Sequence, residues 1–299
     1  MERHVRFTNR GDTLLGVLFT PDDERRKRDA GIVFLHGWAG YRIGPHQMFT
    51  KMARRACAMG FPCLAFDFRG RGDSEGDAAK ASISTMVSDA QKACRVLHDE
   101  SSVAGLALVG VCSGAEVALG AGAIIPQVDA MVLWSVPQVA ADRAHADRAK
   151  RLAIFREYGR KLLRAETWRK LFGGALNLGM VRKAILRGGK GEGEESAPED
   201  REIDWRRRFI EFRGEILYIY GTNDPTTPDC LAYYDSLSKQ AGRTFRSHLI
   251  EGANHSFYSL KWEAEVLGQS LGWLDARYPA PAAPETSSAS GALPTRAPA

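Results

Sequence analysis

The sequence predicts an α/β fold: a mostly parallel sheet of about eight strands, crossover helices on both faces, and a helical cap inserted late in the chain. Three observations carry this. Short apolar runs rich in β-branched residues alternate with longer segments of helical periodicity along most of the chain, the order that a parallel sheet with crossover helices requires. One connection, residues 138–213, far exceeds the usual length of roughly two to six residues and has a helical period of its own at Leu152, Phe155, Leu162 and Leu163. Finally, 299 residues with 44% hydrophobic content are enough to bury one large core.

Taken in order, His4–Phe7 and Leu14–Phe19 read as an antiparallel opening hairpin that turns at Asn9, Arg10 and Gly11. Ile32–Leu35, Cys63–Asp67, Leu106–Val111, Met131–Trp134, Ile216–Tyr220 and Thr244–Ile250 are short apolar runs of the kind found in buried parallel strands. Between them Pro45–Met59, Ile83–His98, Ser113–Gly122, Asp229–Gln240 and Ser259–Arg277 read as helices, with Pro45 and Pro228 at positions where proline favours a helix start. The expected organisation is a core of residues 1–137 and 214–278, a helical cap insertion at 138–213, and a disordered tail at 279–299 that is rich in Pro, Ala and Ser. Within the cap, Gly188–Asp200 (GGKGEGEESAPED) has no apolar periodicity and reads as a mobile loop.

Composition narrows the function classes. No run of about 18 apolar residues is present to span a bilayer, and Met1–Arg10 is polar with no signal-peptide core, so a cytoplasmic protein is expected. Five cysteines, an odd number without CxxC spacing, argue against a disulfide framework and a zinc site; neither metal nor cofactor is expected. The formal net charge of +5 is unevenly spread: residues 143–190 hold 14 Lys or Arg against 3 Asp or Glu. This basic cap reads either as the solvated face of amphipathic helices or as a surface for an anionic small-molecule substrate or a negatively charged membrane. No nucleic-acid reader motif accompanies it, and no nucleic-acid partner is expected.

The chemistry concentrates at Leu106–Gly114 (LALVGVCSG), where a strand runs into a sharp turn and then a helix. A turn that projects one nucleophilic side chain needs small residues two before and two after it, and Gly110 and Gly114 supply them around Cys112. Were Ser113 the nucleophile, those positions would be Val111 and Ala115, and a β-branched valine fits the turn badly. The bland reading is a buried structural cysteine beside a turn. An acid and a histidine then follow in the order such a nucleophile requires: Asp224 after the strand in ILYIYGTND, and His255 after the strand in SHLIEGANH. His248 lies within a strand pattern and His36 belongs to another motif, which leaves His255 as the base. For the oxyanion, backbone N–H groups of Ser113, at a helix start, and of Trp38, in IVFLHGWAG, are the candidate donors. His36 reads as a brace for its loop, Glu116 as a carboxylate stabilising the helix N-terminus, and the DFRGRGDSEG charges as ties between loops. Arg42 and His46, just beyond the oxyanion loop, are possible substrate contacts.

With these residues in place, the chain resembles the α/β-hydrolase superfamily from about Arg6 to Tyr278, its HGWAG, DFRGRGDSEG, GVCSG, GTNDPTTP and GANH segments falling in that family's order. The cysteine turn, Ala39–Phe49 (AGYRIGPHQMF) and Gly159–Gly174 (GRKLLRAETWRKLFGG) are most similar to the hydrolases that accompany exosortase A in exopolysaccharide-producing bacteria, and more distantly to dienelactone hydrolases. The resemblance implies an α/β-hydrolase fold and an esterase or thioesterase using a Cys-His-Asp triad through a thioester intermediate. Two other readings stay open: an acyltransferase on the same residues, and a catalytically silent binding protein of the same fold.

Overall fold

The computed structural model describes residues 1–139 and 203–281; the expected cap helices within 140–202, the 188–200 loop and the tail from 282 onward lie outside the described residues. Eight strands form one sheet: β1 (Glu2–Asn9), β2 (Asp12–Phe19), β3 (Ala30–Leu35), β4 (Cys63–Phe66), β5 (Gly105–Val111), β6 (Val128–Trp134), β7 (Glu215–Gly221) and β8 (Arg246–Ile250). Their order is β1-β2-β4-β3-β5-β6-β7-β8. The β1–β2 and β2–β4 pairs are antiparallel and every other pair is parallel. All eight expected strands are present, and the parallel ones run from β4 to the β8 edge.

The helices of the described residues are α1 (Met48–Ala58), α2 (Ile83–Ser101), α3 (Ser113–Gly122), α4 (Trp205–Glu211), α5 (Thr227–Gln240) and α6 (Leu260–Arg277). Because successive strand residues point to opposite faces, β5 divides its side chains: Leu106 and Leu108 join the core beneath α2, α3, α4 and α5, while Ala107, Val109 and Val111 join the core beneath α1 and α6. Strand β3 does the same, with Val33 and Leu35 on one side and Ile32 and Phe34 on the other. Burial on both faces is why these strands read as continuous apolar runs. No helix among the described residues is long and apolar enough to cross a membrane.

Two elements differ from expectation. The helix expected over Pro45–Met59 is interrupted: Pro45–Gln47 forms one 3-10 turn, His46 and Gln47 take left-handed φ values of 50° and 64°, and α1 starts at Met48. No side chain caps α1. Its first N–H groups, which lack intrahelical partners, are met by the folded-back chain, Phe49 and Thr50 both donating to the Ile43 carbonyl at 3.1 and 3.4 Å. The second difference is α4, which falls in the segment assigned to the cap yet packs into the core. Trp205, Phe209 and Phe212 are buried, and a Cβ at Gly120 of α3 would stand 2.5 Å from the Trp205 ring. Asp204 caps α4 by accepting from Arg207 N–H at 2.9 Å, and Arg208 donates to the Gly120 carbonyl at 2.7 Å. The charge-rich sequence WRRRFIE hid this helix, because only Trp205 and Phe209, four residues apart, face inward.

Because Trp205 is buried in the core, Trp205→Ala should cost about 3–5 kcal/mol. Leu260→Ala, at a site 80% exposed, should stay within about 0.5 kcal/mol. Urea denaturation of the two variants checks the contrast.

Candidate active site

The carboxyl ends of β3, β5, β7 and β8 bring together four loops. At the end of β5, Cys112 adopts φ 54° and ψ −125°, a sparsely populated conformation that costs on the order of 1–3 kcal/mol. The next residue opens α3, so the chain reverses within one residue. Gly110 and Gly114 make this possible: a Cβ on Gly110 would lie 2.6 Å from Ala115 Cα, and one on Gly114 would overlap the Leu35 and His36 carbonyl oxygens. The apex of the turn is therefore Cys112, and Ser113 is the first helical residue. Cys112 is partly exposed, unlike the buried Cys63, Cys94 and Cys230.

Adjacent parallel strands β7 and β8 deliver the other two groups. His255 Nδ1–H donates to Asp224 Oδ2 at 2.6 Å. Asp224 Oδ1 accepts from both the N–H and the hydroxyl of Thr226, at 3.0 and 2.8 Å. With Nδ1 on the carboxylate, Nε2 is the ring nitrogen left for the thiol, and a side-chain hydrogen bond joins His255 to Cys112. That bond, more than any other influence, pushes the His255 pKa up to about 9; partial burial opposes it and Asp224 adds to it. For Asp224, burial pushes upward, but the Thr226 N–H, His255 and the Thr226 hydroxyl together hold it below the usual carboxylate range. The carboxylate is buried at 3% side-chain exposure while the imidazole is 42% exposed. A fixed anion thus lies behind a base that opens to solvent. Ser135, at the end of β6, fixes the histidine loop by donating its hydroxyl to the His255 carbonyl at 2.9 Å.

The loop after β3 completes the arrangement. His36 is buried, its Nε2 accepts from Phe68 N–H at 3.2 Å, and Nδ1–H donates to the Gly37 carbonyl at 2.8 Å. Burial lowers its pKa to about 4, so it stays neutral and acts as the expected brace. Trp38 N–H donates to Ser113 Oγ at 2.6 Å. The two residues expected to supply oxyanion donors are thus in direct contact, with the serine hydroxyl in front of the tryptophan amide. The Ser113 N–H, at the first position of α3, is among the donors that a helix start leaves without an intrahelical acceptor.

Of the two possible substrate contacts, Arg42 is held by carboxylates. Its N–H and guanidinium bond the fully buried Asp67, and the guanidinium also reaches Asp73 at 2.6 Å. These ion pairs tie Arg42 to the loop after β4 and leave its side chain 20% exposed. His46 stands at the rim, edge-on to Tyr258 with ring centroids 4.6 Å apart, three residues beyond His255 in the other loop. Glu116 lies on the first turn of α3, as the sequence predicts, and is buried there. His248 pairs with Glu265 at 2.8 Å on β8 and α6, away from the triad loops.

Two residues of the site escaped sequence reading, and one expected loop tie found a partner that the sequence does not name. Thr226 had a signal, since an Asp followed two residues later by Thr is an Asx-turn pattern. Ser135 had none, because its role depends on a loop 120 residues away. Arg71 donates Nε–H to the Trp38 carbonyl at 2.6 Å and lays its guanidinium 4.8 Å from the indole centroid, which holds the loop after β3 from behind.

A family model described as the alpha/beta hydrolase family matches residues 32–268. No curated protein matches the chain. Among solved structures, it is similar to an α/β serine hydrolase without lid from Xanthomonas campestris (15% identity, 95% of this chain and 97% of that one, TM-score 0.59). It is similar as well to an esterase of Pyrococcus furiosus (18% identity, 92% and 91%, TM-score 0.61), and to Est1E from Butyrivibrio proteoclasticus with ferulic acid bound (14% identity, 91% and 98%, TM-score 0.63). At such identities the likeness is one of fold.

The His255 imidazole should titrate near 9 by NMR, so that the imidazolium is present at neutral pH and is lost as pH rises through about 9. Cys112→Ala, which removes the largest raising influence, should bring the value down toward the ordinary 6.5. A value in Cys112→Ala equal to that of the wild type would contradict the sulfur–imidazole contact.

Proposed function

The chain belongs to the alpha/beta hydrolase family, and from that premise we propose that it hydrolyses esters or thioesters with Cys112 as nucleophile, His255 as general base and Asp224 as the group that orients the base. The observation that carries this reading is the alignment of sulfur, imidazole and buried carboxylate at the apex of the strand-to-helix turn. His255 takes the Cys112 proton, and the raised imidazole pKa favours a thiolate–imidazolium pair that titrates as a unit. The thiolate attacks the acyl carbonyl, and the imidazolium returns its proton to the leaving group as the thioester forms. Water, activated by the same imidazole, then releases the acid.

A thiol in place of the hydroxyl of serine hydrolases changes the preferred substrate. Thiolates attack thioesters, lactones and activated esters readily, and imidazolium protonation of the leaving group matters less when that group is already good. The likeness of Ala39–Phe49 and Gly159–Gly174 to exosortase A-associated hydrolases favours, for the acyltransferase alternative on the same triad, a place in exopolysaccharide biosynthesis.

Incubation with short p-nitrophenyl esters and acyl thioesters, followed by intact-protein mass spectrometry, should trap an acyl adduct on Cys112. Turnover should fall by roughly 10⁴-fold or more in Cys112→Ala and in His255→Ala. On the alkaline side the rate should decline near pH 9, as the imidazolium is lost. A Cys112→Ala variant that keeps its turnover would refute the assignment.

A further inference from the structure

The Ser113 side chain has no part in the mechanism above, yet it occupies its centre. Its Oγ lies 2.6 Å from Trp38 N, so a hydroxyl stands where that amide would otherwise meet an oxyanion. The loop keeps Trp38 N–H in this place from three directions: His36 Nδ1–H and Gly40 N–H both bond the Gly37 carbonyl, at 2.8 and 2.9 Å, and Arg71 holds the Trp38 carbonyl at 2.6 Å. The amide therefore has no freedom to turn toward another acceptor. The hydroxyl accepts from this amide, and no group among the described residues accepts its own proton. A Cβ built on Gly37 would stand 3.7 Å from Ser113 Oγ and 3.5 Å from Cys112 Cβ. Hydroxyl and nucleophile thus border one small space, kept open by the absence of a side chain at Gly37.

We propose that the Ser113 hydroxyl is itself an oxyanion donor, passing the polarisation of Trp38 N–H to the substrate oxygen through its own O–H. The inference rests on the acyl-transfer reading above. As the Cys112 sulfur bonds to the carbonyl carbon, the C=O π pair moves onto oxygen. The Ser113 O–H hydrogen-bonds that oxygen while Oγ goes on accepting from Trp38 N–H, and no proton changes owner. Collapse re-forms the C=O bond and expels the leaving group, which takes its proton from His255. Hydrogen bonds in series polarise one another, so the hydroxyl is a stronger donor here than a lone serine. The Ser113 amide, beside it at the helix start, supplies a second donor to the same oxygen.

The test compares wild type, Ser113→Ala and Ser113→Thr on one p-nitrophenyl ester and one acyl thioester, measured beside the affinity of the matching aldehyde, whose hemithioacetal mimics the tetrahedral state. Ser113→Ala should lower kcat by about 10²-fold with little change in KM, and should weaken aldehyde binding in step. Ser113→Thr, which keeps the hydroxyl, should restore most of both. An unchanged melting temperature and unchanged iodoacetamide reactivity of Cys112 establish that Ser113→Ala is folded with its sulfur–imidazole pair intact. Wild-type or faster kcat in Ser113→Ala would show that the hydroxyl only plugs the Trp38 donor, and would overturn the proposal while leaving the Cys112 reading standing. A wild type that acylates on neither substrate would overturn both.

Discussion

The backbone turn at Cys112 is the constraint from which the rest of the site follows. A residue at φ 54° and ψ −125° between a buried strand and a buried helix holds only if the chain on both sides can come into contact. At Gly110 and Gly114 it does, at separations that no side chain permits. The strain is small beside the packing that fixes it: β5 lies in the middle of the sheet between β3 and β6, and nearly every residue of α3 is buried. A strained residue persists where its surroundings over-determine it. Once the turn is set, the sulfur stands at the sheet's carboxyl edge and α3 points its first N–H groups at the same place.

The other two groups arrive by register. In a parallel sheet neighbouring strands end on the same side, so the loops after β7 and β8 are adjacent and Asp224 meets His255. The charges are graded by depth: a carboxylate at 3% exposure, an imidazole at 42%, then a partly exposed thiol. Burial alone would raise the Asp224 pKa, and the two bonds from Thr226 together with the one from His255 reverse its sign. The anion is thereby kept charged where it raises the basicity of the imidazole.

Around this centre the arginines that follow β3 and β4 divide their labour. Arg69 is tied to the fully buried Asp89 through 2.6 and 3.0 Å bonds and holds the loop to α2. Arg42 neutralises Asp67 and Asp73. Arg71 instead grips Trp38 by its carbonyl and its ring. Burial lowers its pKa, and its cation–π contact partly offsets that desolvation. The result is a loop after β3 whose backbone is held from several sides, so that under the proposed mechanism its N–H groups need no reorganisation during reaction.

Much of this was legible in the one-dimensional pattern. Apolar runs such as Leu106–Val111 fix a strand because both of its faces must be buried, and the spacing of Gly110 and Gly114 about Cys112 fixes the turn because sterics at two residues on either side is a local matter. The order Cys112, Asp224, His255 named the triad candidates for the same reason. Contacts whose two ends lie far apart in the chain were decided by the tertiary structure alone. The DFRGRGDSEG segment announces charges but not which carboxylate each arginine finds; Ser135 gives no sign that it will hold His255; and α4 looks like a solvated basic helix until Trp205 is seen against Gly120. That Ser113 Oγ meets the Trp38 amide is of this kind, for hydrogen-bond pairing depends on positions in space to within a few tenths of an ångström, whereas local sequence sets only which groups are available to pair.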